Sequence, residues 1–166
     1  MAIVLNGTTG ITTPALDSVA PFSSADMPAG SVLQVVQGTY ASSTSTTSAS
    51  FQSTGLTASI TPSSASNKIL VIATSTVVGT VFTDVLTTIY RGDTSTGVNV
   101  SGGNLSTKYN NQGSENSSVT NAYLDSPSTT SSQTYTFAFR SSVSGQTITA
   151  QSGGVTGTII LMEIAA

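Results

Sequence analysis

The stretch from Ser66 to Val78 carries the strongest structural signal in the chain. It follows Pro62 and a serine-rich turn, so a helix is not expected to run through its start. It then presents an unbroken apolar run from Ile69 to Ala73 in which three side chains are β-branched. Such a pattern is typical of a strand buried on both faces. The sequence therefore predicts a central strand that needs cover from an opposing layer on each side or from a neighbouring chain.

A second strand with two apolar faces is predicted at the end of the chain, over Gly157 to Ile164. The clearest period-two segment runs from Gln133 to Arg140, where aromatic side chains alternate with polar ones and are expected to point inward. Tyr40 to Thr54 is expected to form a hairpin whose second arm centres on Phe51. The other predicted strands cover Ser31–Gln37, Leu56–Ile60, Thr80–Tyr90, Val98–Val100 and Val119–Leu124.

No segment repeats apolar residues at the spacing of an amphipathic helix. Eight to ten short strands separated by turns rich in Gly, Pro and Ser predict an all-β fold, an antiparallel β-sandwich or jelly roll, over residues 30–166. Two strands that are apolar on both faces also predict contact with further copies of the chain. Closed rotational symmetry would bury such faces, and a homotrimer is the expected assembly.

Residues 1–29 differ from this body. Prolines at positions 14, 21 and 28 oppose a continuous strand or helix, so the segment is expected to be an extended arm that carries isolated apolar side chains. The alternative is a frayed terminus. In the first interpretation the arm docks the body onto another protein through Ile3, Val4, Leu5, Ile11 and Leu16.

The composition narrows the range of functions. The 166 residues include no Cys and no His, which removes thiolate chemistry, the usual general base and the commonest transition-metal ligand. Only 7% are charged and the net charge is −3, so nucleic acid and anionic membranes are not expected partners. Neither a signal peptide nor a membrane span is predicted. About a third of the residues are Ser or Thr, which predicts a surface made largely of hydroxyl groups.

The candidate chemical groups are few. The carboxylates of Asp84, Asp93, Glu115 and Asp125 are scattered, without the spacing of a catalytic pair or a twelve-residue calcium loop. We therefore expect no catalytic residue, cofactor or metal site. Arg91-Gly92-Asp93 is interpreted as a turn, with an integrin-type adhesion motif as the alternative.

A long polar loop from Ser101 to Ser118 is expected at the surface. It places an aromatic ring beside amides that can hydrogen-bond to sugar hydroxyls, in Tyr109, Asn110, Asn111 and Gln112. This is the candidate receptor or glycan loop, and a solvated loop without a ligand is the alternative.

Several segments resemble small structural proteins of tailed bacteriophages, especially marine and cyanobacterial phages. The similar segments are Leu5–Ile11, which resembles the start of phage fibre proteins, and Pro28–Val36, Ser59–Val71, Leu124–Thr130 and Leu161–Ile164. The resemblance implies a non-enzymatic component of the virion surface, made in the bacterial host cytoplasm, with a β-rich and trimeric head.

That resemblance leaves two roles open. One is a tail-fibre or receptor-binding module that attaches the phage to its host, with a host surface glycan as a possible ligand. The other is a capsid decoration protein, docked on the head by its N-terminal arm. The chain has neither the heptad repeats nor the repeated shaft of a complete fibre, so capsid decoration remains an alternative.

Overall fold

The structure, a computed structural model, describes residues 26–80, 82–108 and 116–166. Within these residues the chain forms eleven strands and no α-helix, apart from one short 3₁₀ turn at Ser152–Gly154. The predicted all-β class is confirmed. The strands are β1 Val32–Tyr40, β2 Thr44–Thr46, β3 Gln52–Ile60, β4 Lys68–Gly79, β5 Val85–Arg91, β6 Val98–Asn99, β7 Ser106–Lys108, β8 Ser117–Asp125, β9 Gln133–Ser141, β10 Ile148–Ala150 and β11 Gly157–Ile164.

The strands form two antiparallel sheets that pack face to face. In the first sheet β4 is central. β8 pairs with one of its edges, and β11 pairs with the other edge and carries β1 on its far side. The short β10 pairs with the end of β4 that β11 does not reach, and β2 pairs with β10. In the second, the order is β3-β9-β5, and β6 and β7 both pair with the free edge of β5. Consecutive long strands alternate between the two sheets. This winding is that of a jelly roll.

The core lies between the sheets and follows the period of two. On β9 the predicted inward residues Tyr135, Phe137 and Phe139 are fully buried, as expected. Tyr135 and Phe137 pack in one cluster with the fully buried Ile69 and Val71 of the central strand, and Phe139 packs in a second cluster with Val77. Burial of large apolar side chains contributes roughly 1.5–3 kcal/mol each, so this layer is the main source of stability.

The outer face of the six-stranded sheet has no covering layer within the described residues. Along β4 one face is buried and the other is only partly buried, including the apolar Leu70 and Ile72. The same alternation holds on β11, where Ile160 and Met162 point outward. The two-faced apolar pattern is therefore real, but the described residues supply cover on one side only.

Two local predictions were wrong. The expected hairpin between Tyr40 and Thr54 does not form, because β2 pairs with β10, and Phe51 lies outside the strands. Phe51 instead packs edge-on against Tyr90.

The strand expected from Thr80 begins only at Val85, because a turn intervenes. In the loop expected from Ser101 to Ser118, Ser106–Lys108 forms the short strand β7.

Strand pairing gives the sandwich two distinct ends. The arm end contains Lys68 and Ile164, which pair with each other, and Gly30, whose amide donates to the Ala165 carbonyl at 2.8 Å. The loop end contains Gly79, the last residue of β4, and Val85, the first residue of β5. At about 3.3 Å per residue, the twelve residues of β4 separate the two ends by roughly 35–40 Å.

Candidate functional site

The predicted arm residues Ile3, Val4, Leu5, Ile11 and Leu16 lie outside the described residues. What the structure defines is where the body begins: the backbone of Gly30 and Ser31 hydrogen-bonds to Ala165 at the arm end. A segment that precedes residue 26 therefore joins the body at this end.

The predicted receptor loop Tyr109, Asn110, Asn111 and Gln112 also lies outside the described residues. Its two flanks, however, are fixed by strand pairing. Lys108 pairs with Val85, and Ser117 pairs with Val77. Both flanks therefore lie at the loop end, opposite the point where the N-terminal segment joins.

The loop end also exposes apolar side chains. Phe82 is 73% exposed and Val143 is 46% exposed. Phe82 has a left-handed backbone with a φ of 61°, which is rare for a bulky residue. Strained backbone positions cluster at functional sites, so this turn is a candidate contact point.

The outer face of the six-stranded sheet carries two apolar rows that cross its strands. One row consists of Val35, Met162, Leu70 and Leu124, which are direct neighbours on β1, β11, β4 and β8. The next contains Ile160, Ile72 and Ala122, with Gln37 at its β1 end. Val35 is 59% exposed and Leu124 is 47% exposed. We call these two rows the apolar face.

The apolar face is bordered by uncharged hydroxyl groups. The next row toward the loop end consists of four threonines, Thr39, Thr158, Thr74 and Thr120. Among the outward positions of β1, β4, β8 and β11, Lys68 alone is charged, and it lies at the arm end. A partner on this face therefore meets apolar and hydroxyl groups, with no charge pattern to match.

Arg91 is the last residue of β5, and Gly92 and Asp93 follow it into the turn at residues 94–96, so the predicted turn begins only after Arg91. Both charged side chains are engaged within the chain. Arg91 donates to Asp125 Oδ2 at 2.8 Å. Asp93 Oδ1 accepts hydrogen bonds from the Ser95 hydroxyl, the Ser95 amide and the Thr96 amide, and Oδ2 accepts from the Thr96 hydroxyl. Donation by the Ser95 hydroxyl, with the Thr96 bonds, holds the pKa of Asp93 well below its usual range. This geometry supports a structural turn over an adhesion motif.

Asp125 joins the two sheets at the arm end. It is the last residue of β8, and its Oδ2 accepts from the Tyr135 hydroxyl at 2.7 Å as well as from Arg91. Burial, followed by the hydrogen bond to Asp125, raises the pKa of the Tyr135 hydroxyl far above its usual value. The carboxylate of Asp125 is therefore committed to structure and is not available as a catalytic base.

Glu163 is a second buried carboxylate with structural partners. It has no exposed surface, and its Oε1 accepts from the Ser63 amide, the Ser63 hydroxyl and Asn67 Nδ2. Its Oε2 accepts from Gln34 Nε2 at 2.6 Å. These bonds tie β1, β11 and the loop before β4 together. The sequence pattern did not single out this residue, because its neighbours suggested an apolar strand.

Asp84 and Asp93 do not form a glycosidase pair. Asp84 precedes β5 at the loop end and Asp93 follows β5 at the arm end, so a seven-residue strand separates them. Paired catalytic carboxylates lie within roughly 5–10 Å of each other. No group of three or more potential metal ligands occurs among the described residues.

A hydroxyl-lined pocket opens on the outer face of the five-stranded sheet, with a volume of about 460 Å³. Its floor includes Thr57 and Thr136, which are direct partners on β3 and β9. The turn at Gly92 and Asp93 forms one wall. No sequence motif marks this pocket, because its lining comes from three separate segments.

No helix in the described part of the chain combines the length and the hydropathy of a membrane span. No protein-family model matches the sequence, and no curated protein matches it.

Proposed function

We propose that this chain is a non-enzymatic structural protein on the surface of a tailed-phage particle, a tail-fibre or receptor-binding module that attaches the phage to its host. The observation that carries the proposal is the two-ended arrangement of the body. The N-terminal segment joins at the arm end, and the flanks of the Tyr109 loop lie at the loop end with the exposed Phe82. A body docked by its arm would project its loop end outward.

The proposal includes assembly of several copies through the apolar face. A second copy is the occupant that its chemistry favours, because the face offers apolar and threonine rows and almost no charge to a different partner. Three copies around an axis parallel to the strands would bury the three faces together. All arms would then emerge at one end of the trimer and all loops at the other. We expect a homotrimer on this basis.

Deletion of residues 1–25 tests the docking role. The shortened chain keeps the pairing of Gly30 and Ser31 with Ala165, so the body should still fold and assemble. We expect it to be missing from purified particles. Two variants of the full chain make the test more specific. Incorporation into particles should be prevented by changing Ile3, Val4 and Leu5 to Ser. It should be unaffected in the control variant, in which Thr8, Thr9 and Thr12 are changed to Ser. Normal incorporation of the shortened chain would contradict the docking role.

Host binding by the isolated body tests the receptor role. The fluorescently labelled body should bind host cells, and Tyr109→Ala and Phe82→Ala should weaken that binding without changing the melting temperature. Thr130→Ala, at an exposed position in the β8–β9 loop at the arm end, serves as the control. Release of new reducing ends from host polysaccharide would instead reveal an enzyme, against the non-enzymatic proposal.

Capsid decoration is the alternative role. It is favoured by the described residues, which form a single sandwich and no shaft that would extend the contact away from the particle. Immunogold labelling of intact particles separates the two roles. Labelling over the head, at a stoichiometry matching capsid lattice positions and without host binding by the body, would establish decoration. Labelling at the tail would establish the fibre role.

A further inference from the structure

A β-bulge in β3 shapes one wall of the pocket on the outer face of the five-stranded sheet. Between the pairs Ser53–Ala138 and Thr57–Thr136, three residues of β3 face the single residue Phe137 of β9. This bulge contains Gly55, whose φ of 86° requires the left-handed region that glycine tolerates. The buried Thr54 hydroxyl donates to the Phe137 carbonyl at 2.8 Å and fixes the bulge. Bulges of this kind re-aim side chains and are frequent next to functional sites.

The opposite wall of the pocket is equally fixed. The Gly92 amide donates to the Thr134 carbonyl at 2.7 Å, and the Thr136 hydroxyl donates to the Gly92 carbonyl at 2.8 Å. These bonds hold the turn against β9. The Asp93 carboxylate lies on this turn, and its four hydrogen bonds to Ser95 and Thr96 set its orientation. Three of them reach Oδ1 and one reaches Oδ2, so Oδ2 retains acceptor capacity.

The chemistry of the lining selects a class of ligand. Thr57 and Thr94 present hydroxyls that make no hydrogen bond to another described residue, and their methyl groups provide apolar surface. An anionic ligand would meet the Asp93 carboxylate. A hard cation such as Ca²⁺ would need six to eight oxygen ligands around it, whereas this pocket offers one carboxylate among hydroxyls. A ligand with neutral hydroxyl donors and C–H faces fits both parts of the lining.

An aromatic pair lies beside this pocket on the same face of the sheet. Tyr90 is the direct neighbour of Thr136 on β5, and its ring packs edge-on against Phe51 with centroids 5.9 Å apart. Arg140 lies over the Phe51 ring at 5.3 Å. Rings of this kind offer flat apolar surface to a sugar that extends beyond the pocket. The volume of about 460 Å³ falls within the range of roughly 300–1,000 Å³ that is usual for small-molecule sites.

We propose that this pocket binds a neutral saccharide, with Asp93 Oδ2 accepting a hydrogen bond from a sugar hydroxyl and Thr57 and Thr94 contacting neighbouring hydroxyls. The site is separate from the loop end and from the apolar face. It does not depend on where the chain sits on a particle. Failure of sugar binding would leave the virion role standing, and sugar binding would persist if the virion role failed.

Saturation-transfer NMR and calorimetry with the full chain test this site. The probes are maltotetraose, mannotetraose and N-acetylchitotetraose at millimolar concentrations, with tetragalacturonic acid as the anionic comparator. We expect at least one neutral probe to bind and the anionic one not to. Asp93→Asn keeps the acceptor at Oδ1 but replaces Oδ2 with a donor, so it should weaken binding roughly tenfold or more. Thr57→Val, which keeps the shape, should weaken binding roughly fivefold.

Matched controls are available elsewhere on the body. Asp84→Asn removes the same charge at the other end of β5, and Thr156→Val removes an exposed hydroxyl from the loop before β11. Both should bind as the unchanged chain does. The proposal is overturned if no neutral probe binds, if the anionic probe binds better than the neutral ones, or if Asp93→Asn and Thr57→Val both bind normally.

Discussion

Glu163 is a carboxylate on the inward side of β11, where Ile159 and Leu161 occupy the alternate core positions. Desolvation by burial opposes its ionisation. Four hydrogen bonds, led by the one from Asn67 and followed by those from Gln34 and Ser63, outweigh that effect and lower the pKa of Glu163 below its ordinary value of 4.5. Its charge is thus balanced by neutral donors.

We predict that Glu163→Gln lowers the free energy of unfolding at pH 7 by about 1–3 kcal/mol, because an amide nitrogen would face the Gln34 donor. Since the folded pKa is depressed, the stabilisation from ionised Glu163 is complete above pH 4.5 and is lost as the pH falls through the lowered pKa. Urea unfolding at pH 7 and pH 3 should show the difference between variant and wild type shrinking in acid. The control Asp84→Asn should cost little, and an equal difference at both pH values would contradict the prediction.

Phe82 belongs to the turn that links β4 to β5, where the Thr83 amide donates to the Thr80 carbonyl. Its left-handed φ of 61° carries a cost on the order of 1–3 kcal/mol that glycine avoids. After the greater chain entropy of unfolded glycine is subtracted, Phe82→Gly should stabilise the fold by up to about 1 kcal/mol. Thermal unfolding checks this. Val143→Gly, at an exposed position without a positive φ, should not stabilise, and a lower melting temperature for Phe82→Gly would contradict the argument.

At the scale of the elements, period two explains most of what could be predicted. On β9 the inward aromatic residues are where the pattern put them, although Thr136 and Ala138 on the other face are buried as well. The hairpin expected around Phe51 failed because its polar residues fit several pairings, and β2 found its partner in the distant β10. Pairing between strands that are far apart in the chain depends on the closed sandwich, and no local pattern in the sequence indicates it.

At the arm end β8 contacts the five-stranded sheet through Asp125, which accepts from both Arg91 and Tyr135. We predict that Asp125→Asn costs about 3 kcal/mol or more, because it leaves Arg91 partly buried without a counter-charge. Tyr135→Phe should cost only about 1–2 kcal/mol, since the ion pair survives. A double-mutant cycle in urea measures both and their coupling. Equal costs for the two single variants would contradict the central role given to the ion pair.

For the whole molecule, the apolar face is a sheet surface that none of the described residues covers. It spans β1, β11, β4 and β8, and it coincides with the stretch that dominates the sequence pattern. Apolar rows exposed to water are a liability in a monomer and an interface in an assembly. The same face orients the strands along the proposed symmetry axis, so assembly and outward projection would follow from one surface.

We predict that the double variant Leu70→Lys with Met162→Lys converts a trimer to a folded monomer. Both side chains point outward, so the core is untouched, whereas burying two charges in the interface is strongly unfavourable. Light scattering coupled to size exclusion measures the mass, and circular dichroism confirms the fold. Ser59→Lys, on the exposed face of the other sheet, is the control and should remain trimeric. A monomeric wild type at micromolar concentration would contradict the assembly itself.

The sequence by itself determined the all-β class, the inward side of β9, and the lack of histidine and cysteine chemistry, since these follow from composition and from a period of two. Only the tertiary structure decided the strand order, because antiparallel pairing over long separations depends on the whole sandwich. It also decided that Asp125 and Glu163 are structural, and that hydroxyls from three segments meet beside Asp93. Side chains far apart in the chain become neighbours only when the sheets close. For the central strand, the sequence specified two apolar faces, and the structure identified the one that remains uncovered.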